Sequence, residues 1–140
     1  VADAVPQADR RHPSTTIATS SIAGRGLFAA EPIAAGDVVL EFDVAPDTVD
    51  ALGPVNHSCD PTLVWVDGHA LAAVRELAAG EELTTDYSTS VADFLLRCHC
   101  ESTRCRQMVT GDDWAISQLQ QRYAGHWATG LQRRIDAASG

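Results

Sequence analysis

Three of the four cysteines stand in one short run, Cys98-His99-Cys100 and Cys105, and the fourth, Cys59, lies far upstream. Cys98 and Cys100 are too close to pair comfortably with each other, which argues against a disulfide framework. A C-x-C-x4-C run instead aims three thiolates at one ion and leaves one tetrahedral position, for which Cys59 is the only cysteine left. Zinc suits such a set: it accepts thiolate, takes tetrahedral S4 without strain and needs no redox partner. With four protein ligands the ion is structural. His99 as a ligand is unnecessary. Arg97, Arg104 and Arg106 flank the cysteines and are expected to offset the negative charge of four thiolates on one Zn2+. On spacing alone, free buried or reactive thiols, disulfides and another metal stay open.

Charge narrows the partners. The 140 residues carry 10 basic and 19 acidic side chains, net −9, and every basic residue is an arginine. Between Asp37 and Asp67 there are seven acids and no arginine. Such a balance opposes generic nucleic-acid binding, which needs a basic face to release counterions. It suits a basic peptide or an amine, or else merely keeps the surface soluble. No apolar run reaches the ~20 residues that a membrane span requires, and the start lacks the apolar core of a signal peptide. A cytoplasmic protein without membrane contact is expected.

Along the chain, residues 1–14 lack periodicity and read as a flexible leader, with order beginning near Thr15. Short strands are expected over Thr15–Thr19, Gly26–Ala29 and Val38–Phe42, and a hairpin over Thr62–Val66 and His69–Val74 about Asp67-Gly68. Asp93–Leu96 reads as a helical turn. Asp112 or Asp113 is expected to cap a helix through Tyr123 that closes at Gly125, with a second from about Thr129. The fold class is mainly β with short C-terminal helices, and there is no βαβ unit for a Rossmann fold.

Three segments, Gly24-Arg25-Gly26-Leu27-Phe28, Asn56-His57-Ser58-Cys59-Asp60-Pro61 and Gly80-Glu81-Glu82-Leu83-Thr84-Thr85-Asp86-Tyr87, precede the cysteine run in that order. The set resembles the SET-domain protein-lysine methyltransferases with their post-SET zinc segment. The resemblance implies a SET-like fold of short curved sheets with pseudoknot-like C-terminal threading. It divides the chain into a catalytic domain over 15–97, a zinc segment over 98–106 and a helical tail over 107–140. It also implies S-adenosyl-L-methionine as cofactor, held by Ala23, Gly24, Arg25, Gly26, Asn56, His57, Tyr87 and His99. One structural Zn2+ is implied on Cys59, Cys98, Cys100 and Cys105. Tyr87 is the implied catalytic residue, its hydroxyl orienting the nucleophile and placing partial negative charge near the sulfonium methyl; His57 receives no general-base role. The activity implied is methylation of a protein lysine ε-amine by in-line displacement.

Several positions depart from the family pattern. Glu41 and Asn56 are separated by only 14 residues, where the family carries a longer insert that walls the peptide groove. A homodimer is one way to supply the missing wall. Arg25 replaces a common aromatic residue. Thr85 stands where many members carry the Phe or Tyr that limits methylation, and a small Thr widens the pocket. These departures keep two alternatives in view: an enzyme for a small-molecule amine or other nonpeptide substrate, and a module that binds the cofactor without turnover.

Overall fold

No apolar run in the first two-thirds of the chain is long enough for a helix, and the chain answers with short strands. The structure, a computed structural model, describes residues 8–139; the rest of the expected leader, residues 1–7, lies outside the described residues. In chain order the strands are β1 (Arg10–Arg11), β2 (Thr15–Thr19), β3 (Arg25–Ala29), β4 (Val38–Glu41), β5 (Asn56–His57), β6 (Leu63–Val66), β7 (Ala70–Ala73), β8 (Glu82–Thr85), β9 (Leu95–Arg97) and β10 (Met108–Thr110), followed by helices α1 (Ser117–Arg122) and α2 (Thr129–Ser139). They form two four-stranded sheets, β1-β4-β7-β6 and β2-β3-β8-β5, and the ribbon β9-β10. No helix among the described residues is long and apolar enough to cross a membrane.

The expected hairpin is β6-β7. Asp67 and Gly68 both take positive φ, 55° and 76°, and with His69 they form the three-residue loop between Val66 and Ala70. Its register sets Trp65 opposite Leu71 and Leu63 opposite Ala73, so these four side chains face inward and are buried. Leu27, Ile33, Leu40, Leu52, Leu77 and Leu83 complete the core, each large side chain contributing about 1.5–3 kcal/mol by leaving water. Trp65 satisfies its indole by donating to Ser90 Oγ at 2.8 Å.

Three local expectations change. Residues 8–14 are not a loose leader: Arg10 and Arg11 pair with Glu41 and Leu40, and Arg10 also reaches Asp43 at 2.9 Å. The order comes from backbone pairing, Asp9 N–H to the Glu41 carbonyl at 2.9 Å and His12 N–H to that of Val39 at 2.8 Å. The exposed ion pairs add little, and apolar periodicity reports neither. Leu95–Arg97 is a strand, because Leu95, Leu96 and Arg97 pair with Thr110, Val109 and Met108. The whole C-x-C-x4-C run is therefore the loop of a hairpin. Neither Asp112 nor Asp113 caps a helix with its side chain; the Asp113 carboxylate instead accepts from Thr110 N–H at 3.2 Å and Thr110 Oγ1 at 3.0 Å.

The tail is helical on both sides of Gly125, with φ of 81°, but the expected first helix is split into a 3-10 turn over Asp113–Ala115 and α1, with Ile116 extended between them. Leu119, Tyr123, Trp127, Leu131 and Ile135 form a second small core, against which Val64 packs from the hairpin. The element that builds the site is the parallel pairing of β5 with β8, Asn56 opposite Thr84 and His57 opposite Thr85. It sets the Asn-His-Ser-Cys segment alongside the strand that leads into Asp86-Tyr87.

Candidate functional site

The four sulfur atoms of Cys59, Cys98, Cys100 and Cys105 all lie within 4.8 Å of one another, and none is in a disulfide. Tetrahedral zinc with bonds of about 2.3 Å sets its sulfurs about 3.8 Å apart, so the cluster needs only slight contraction around an ion. Cys59 and Cys98 are already at 3.9 Å. Burial pushes the Cys59 thiol up to about 11 and raises Cys98 as well. Cys100 and Cys105 are only partly buried, and against the burial of Cys100 hydrogen bonds from the backbone lower its thiol to about 7. The four sulfurs thus differ in ease of ionisation, and a cation would favour the thiolate form of all of them. The Arg106 backbone N–H donates to Cys59 Sγ at 3.4 Å, the type of bond that orients a thiolate ligand.

The arginines serve differently from the expectation. Arg97 and Arg104 are exposed, Arg104 lying 3.8 Å from Asp60. Arg106 turns its guanidinium away from the sulfurs to Asp86, Nη1 to Oδ2 at 2.8 Å and Nη2 to Oδ1 at 3.1 Å. Asp86 is fully buried. Burial alone would raise its carboxyl, but the guanidinium overrides that and holds it below the ordinary aspartate value. Spacing to the cysteines pointed Arg106 at the metal; no local signal paired it with Asp86.

His57 is buried beside this pair. Its Nδ1 accepts the Tyr87 backbone N–H at 3.0 Å, so its proton sits on Nε2, which faces Cys59 Sγ at 3.4 Å. Burial lowers the imidazole from 6.5 to about 4, with Arg106 adding to the effect against the pull of Asp86. The ring is thus neutral, and its 3.8 Å approach to Asp86 is no ion pair. It is a spacer between Tyr87 and the cysteines, in keeping with its exclusion as a general base.

A cleft of about 490 Å3 opens above the cluster. Of the residues assigned to the cofactor, Ala23, Asn56, His57, Tyr87 and His99 line it, together with Cys98 and Cys100. Gly24, Arg25 and Gly26 do not line it. Gly26 is glycine for another reason: a Cβ there would overlap the Glu82 carboxylate. Glu82 Oε2 in turn accepts from Asn56 Nδ2 at 2.9 Å and from Ser20 Oγ at 2.9 Å. Asn56 Nδ2 also reaches the carbonyls of Ala23 at 3.0 Å and Arg25 at 3.2 Å. The amide nitrogen is therefore engaged by protein, and Oδ1 is the Asn56 atom left to meet a ligand. Thr85 is fully buried on β8 and its hydroxyl has no partner; it is absent from the cleft wall, so its small size does not widen this cleft.

Tyr87 is buried and lines the cleft. Its hydroxyl donates to the Val55 carbonyl at 2.6 Å, and its ring meets His57 and Phe94 edge-on, with centroids 5.4 and 6.0 Å away. Burial and, after it, the charge of Glu82 push the phenol up to about 12. The oxygen is therefore a neutral phenol whose proton is already committed and whose lone pairs remain to accept.

No family model matches the sequence. The chain is 30% identical over 133 aligned positions to "Histone-lysine N-methyltransferase 2B" of Homo sapiens, covering 64% of this chain and 5% of that protein. It is 36% identical over 76 positions to "Histone-lysine N-methyltransferase, H3 lysine-9 specific KMT1" of Fusarium mangiferae, covering 39% and 22%. The chain thus spans less than a quarter of the length of these curated relatives. The 133 positions exceed the 64% of this 140-residue chain that they engage, so the human relative carries extra residues within the matched region. Two solved structures share the fold. KRYPTONITE in complex with mCHG DNA and SAH superposes with TM-score 0.56 at 22% identity, over 71% of this chain and 30% of that one. KRYPTONITE with mCHH DNA, an H3(1-15) peptide and SAH gives 0.54 at 24%, over 72% and 30%.

Two expectations are corrected by these comparisons. The exclusion of nucleic acid does not stand, because both similar structures are complexes with DNA. Net charge is an average over the surface, whereas phosphate contact is made by local patches and by other parts of longer proteins. The cytoplasmic placement does not stand either: both similar structures are complexes with DNA, and the matched relatives are named as histone-lysine methyltransferases.

Proposed function

On the premise that this chain belongs to the SET-domain histone-lysine methyltransferase family, we propose that it transfers a methyl group from S-adenosylmethionine to a lysine ε-amine of a basic peptide. The observation that carries the reading is Tyr87, its hydroxyl held by Val55, in the wall of a cleft shared with Asn56, His57 and His99. When bound, the cofactor supplies an electrophilic methyl on sulfur, and most of the driving force resides there.

The chain's own residues position and shield. Ala23, Asn56, His57 and His99 line the cofactor side, and the Asn56 Oδ1 is placed to accept from a cationic amine. Gly24, Arg25 and Gly26 act on this side indirectly, since the Arg25 carbonyl and the Glu82 carboxylate above Gly26 hold the Asn56 amide. Tyr87 oxygen, with its proton given to Val55, accepts from an attacking amine and faces the transferred methyl with its lone pairs. Phe94 packs edge-on against the Tyr87 ring from outside the cleft lining and helps hold it in place. Among the described residues, the one carboxylate that lines the cleft is that of Glu101, which is exposed, and in this reading the ammonium loses its proton to water before attack. Cys59, Cys98, Cys100 and Cys105 would hold one structural Zn2+, which would tie the cysteine loop to the segment that follows β5.

The test is methyl transfer by metal-replete protein to an H3(1-15) peptide, with and without duplex DNA, followed by mass spectrometry. Mass added on lysine supports the reading. The segment between Phe42 and Asn56 forms only a single 3-10 turn, Asp50–Leu52, and this short wall favours a small amine as second reading. Labelled metabolites from a host extract with no labelled protein would select it.

A further inference from the structure

Arg106 makes more bonds between separate segments than its place beside a cysteine suggests. Besides its two bonds to Asp86, Nη2 donates to Ser88 Oγ at 3.0 Å and Nε to Asp113 Oδ2 at 3.2 Å. Its side chain is only 16% exposed. Asp86 Oδ1 also accepts the Ser88 N–H at 3.1 Å, which caps the 3-10 turn Tyr87–Thr89. The Tyr87 N–H is held by His57 Nδ1, whose other nitrogen faces Cys59, and Cys59 is the sulfur that Arg106 N–H meets. The contacts close a ring: Cys59, His57, the Tyr87 turn, Asp86, Arg106 and back to Cys59.

We propose that Arg106 is a positioning residue for Tyr87, a clamp that ties the turn bearing the tyrosine to the hairpin loop bearing the cysteines. The proposal rests on the assignment of Tyr87 to methyl transfer. Through this clamp an ordered cysteine loop and a placed tyrosine hydroxyl become one event. A bidentate guanidinium suits the task because it fixes the carboxylate in orientation as well as distance, which a lysine ammonium cannot do. Tyr123, whose hydroxyl also donates to Asp86 at 3.0 Å, contacts the same carboxylate from the tail but does not touch the cysteine loop.

The test is hydrogen exchange on the full metal-replete chain, read at Tyr87 and Ser88, for wild type, Arg106→Gln, Arg106→Lys and Tyr123→Phe. In Arg106→Gln these amides exchange about tenfold faster while β2 and β3 are unchanged, and Arg106→Lys falls between. A chelator produces the same acceleration in wild type and in Tyr123→Phe but adds nothing in Arg106→Gln. Turnover follows: kcat falls about tenfold with cofactor affinity within about threefold, and the loss disappears in a Tyr87→Phe background. Unchanged exchange at Tyr87 and Ser88 in both Arg106 variants overturns the clamp, as does a kcat loss that persists undiminished without the tyrosine hydroxyl. Should Arg106→Gln fail to fold, Arg106→Lys decides by the same readings. If Tyr87→Phe retains full turnover, the assignment of Tyr87 fails, and the exchange data still judge the clamp.

Discussion

The Tyr87 hydroxyl and the Val55 carbonyl meet at 2.6 Å in the buried interior, and this bond decides what the phenol can do. With its only proton given to Val55, the oxygen is left with lone pairs that can only accept. A tyrosine free to rotate would present its proton to the incoming amine half of the time and oppose attack.

Removing that oxygen separates chemistry from binding. Tyr87→Phe should lower turnover by about 100-fold or more, the scale of one well-placed electrostatic group, while calorimetric affinity for the cofactor stays within about tenfold. It also leaves the Val55 carbonyl unpaired, which should cost about 1–3 kcal/mol in chemical denaturation. Undiminished turnover would remove Tyr87 from the reaction.

The two tyrosines also make the burial measurable. Both are buried, the Tyr87 phenol is pushed up to about 12 and that of Tyr123 is raised too, by burial and by Asp86. A folded pKa above the unfolded value means stability that is full below pH 10 and lost as pH rises through about 12. Ultraviolet titration of the native chain should show no tyrosinate at pH 10, whereas the urea-unfolded chain should show both groups titrating there.

Metal removal tests the cluster directly. Cys59→Ser should reduce bound zinc from one ion per chain and loosen the loop 98–107, because metal-binding energy on the order of 10 kcal/mol is folding energy in such sites. Cofactor affinity should fall with it, since Cys98, His99 and Cys100 wall the cleft. Full zinc occupancy with unchanged melting would defeat the four-cysteine assignment.

Gly26 and Glu82 offer a double-mutant cycle. Gly26→Ala should destabilise by about 1–3 kcal/mol, the cost of overpacking, because its methyl displaces the carboxylate that holds Ser20 and Asn56. In a Glu82→Ala background the same change should cost about 1 kcal/mol less. Equal costs in the two backgrounds would show that Gly26 is small for another reason.

Much of the candidate site could be read in one dimension. Asn56-His57-Ser58-Cys59, Asp86-Tyr87 and the cysteine run identified themselves by residue type and order, and the hairpin at Asp67-Gly68 and the tail about Gly125 by turn chemistry and periodicity. These are local signals: a turn needs left-handed residues wherever it sits, and an amphipathic helix shows its stripe unaided.

Long-range partnerships were another matter. Arg106 finds Asp86 at a separation of 20 residues and Cys59 at 47, and Glu82 reaches back 62 residues to Ser20. Nothing in either neighbourhood encodes such a pairing, since a charge beside a cysteine looks the same whichever way its side chain turns. Leu95–Arg97 became a strand only because Met108–Thr110 arrived to pair with it. The sequence by itself determined which groups are present and which turns they flank. Only the tertiary structure decided which of them face one another, because desolvation and hydrogen bonding act on neighbours in space, and the crossing of β5 alongside β8 creates that neighbourhood.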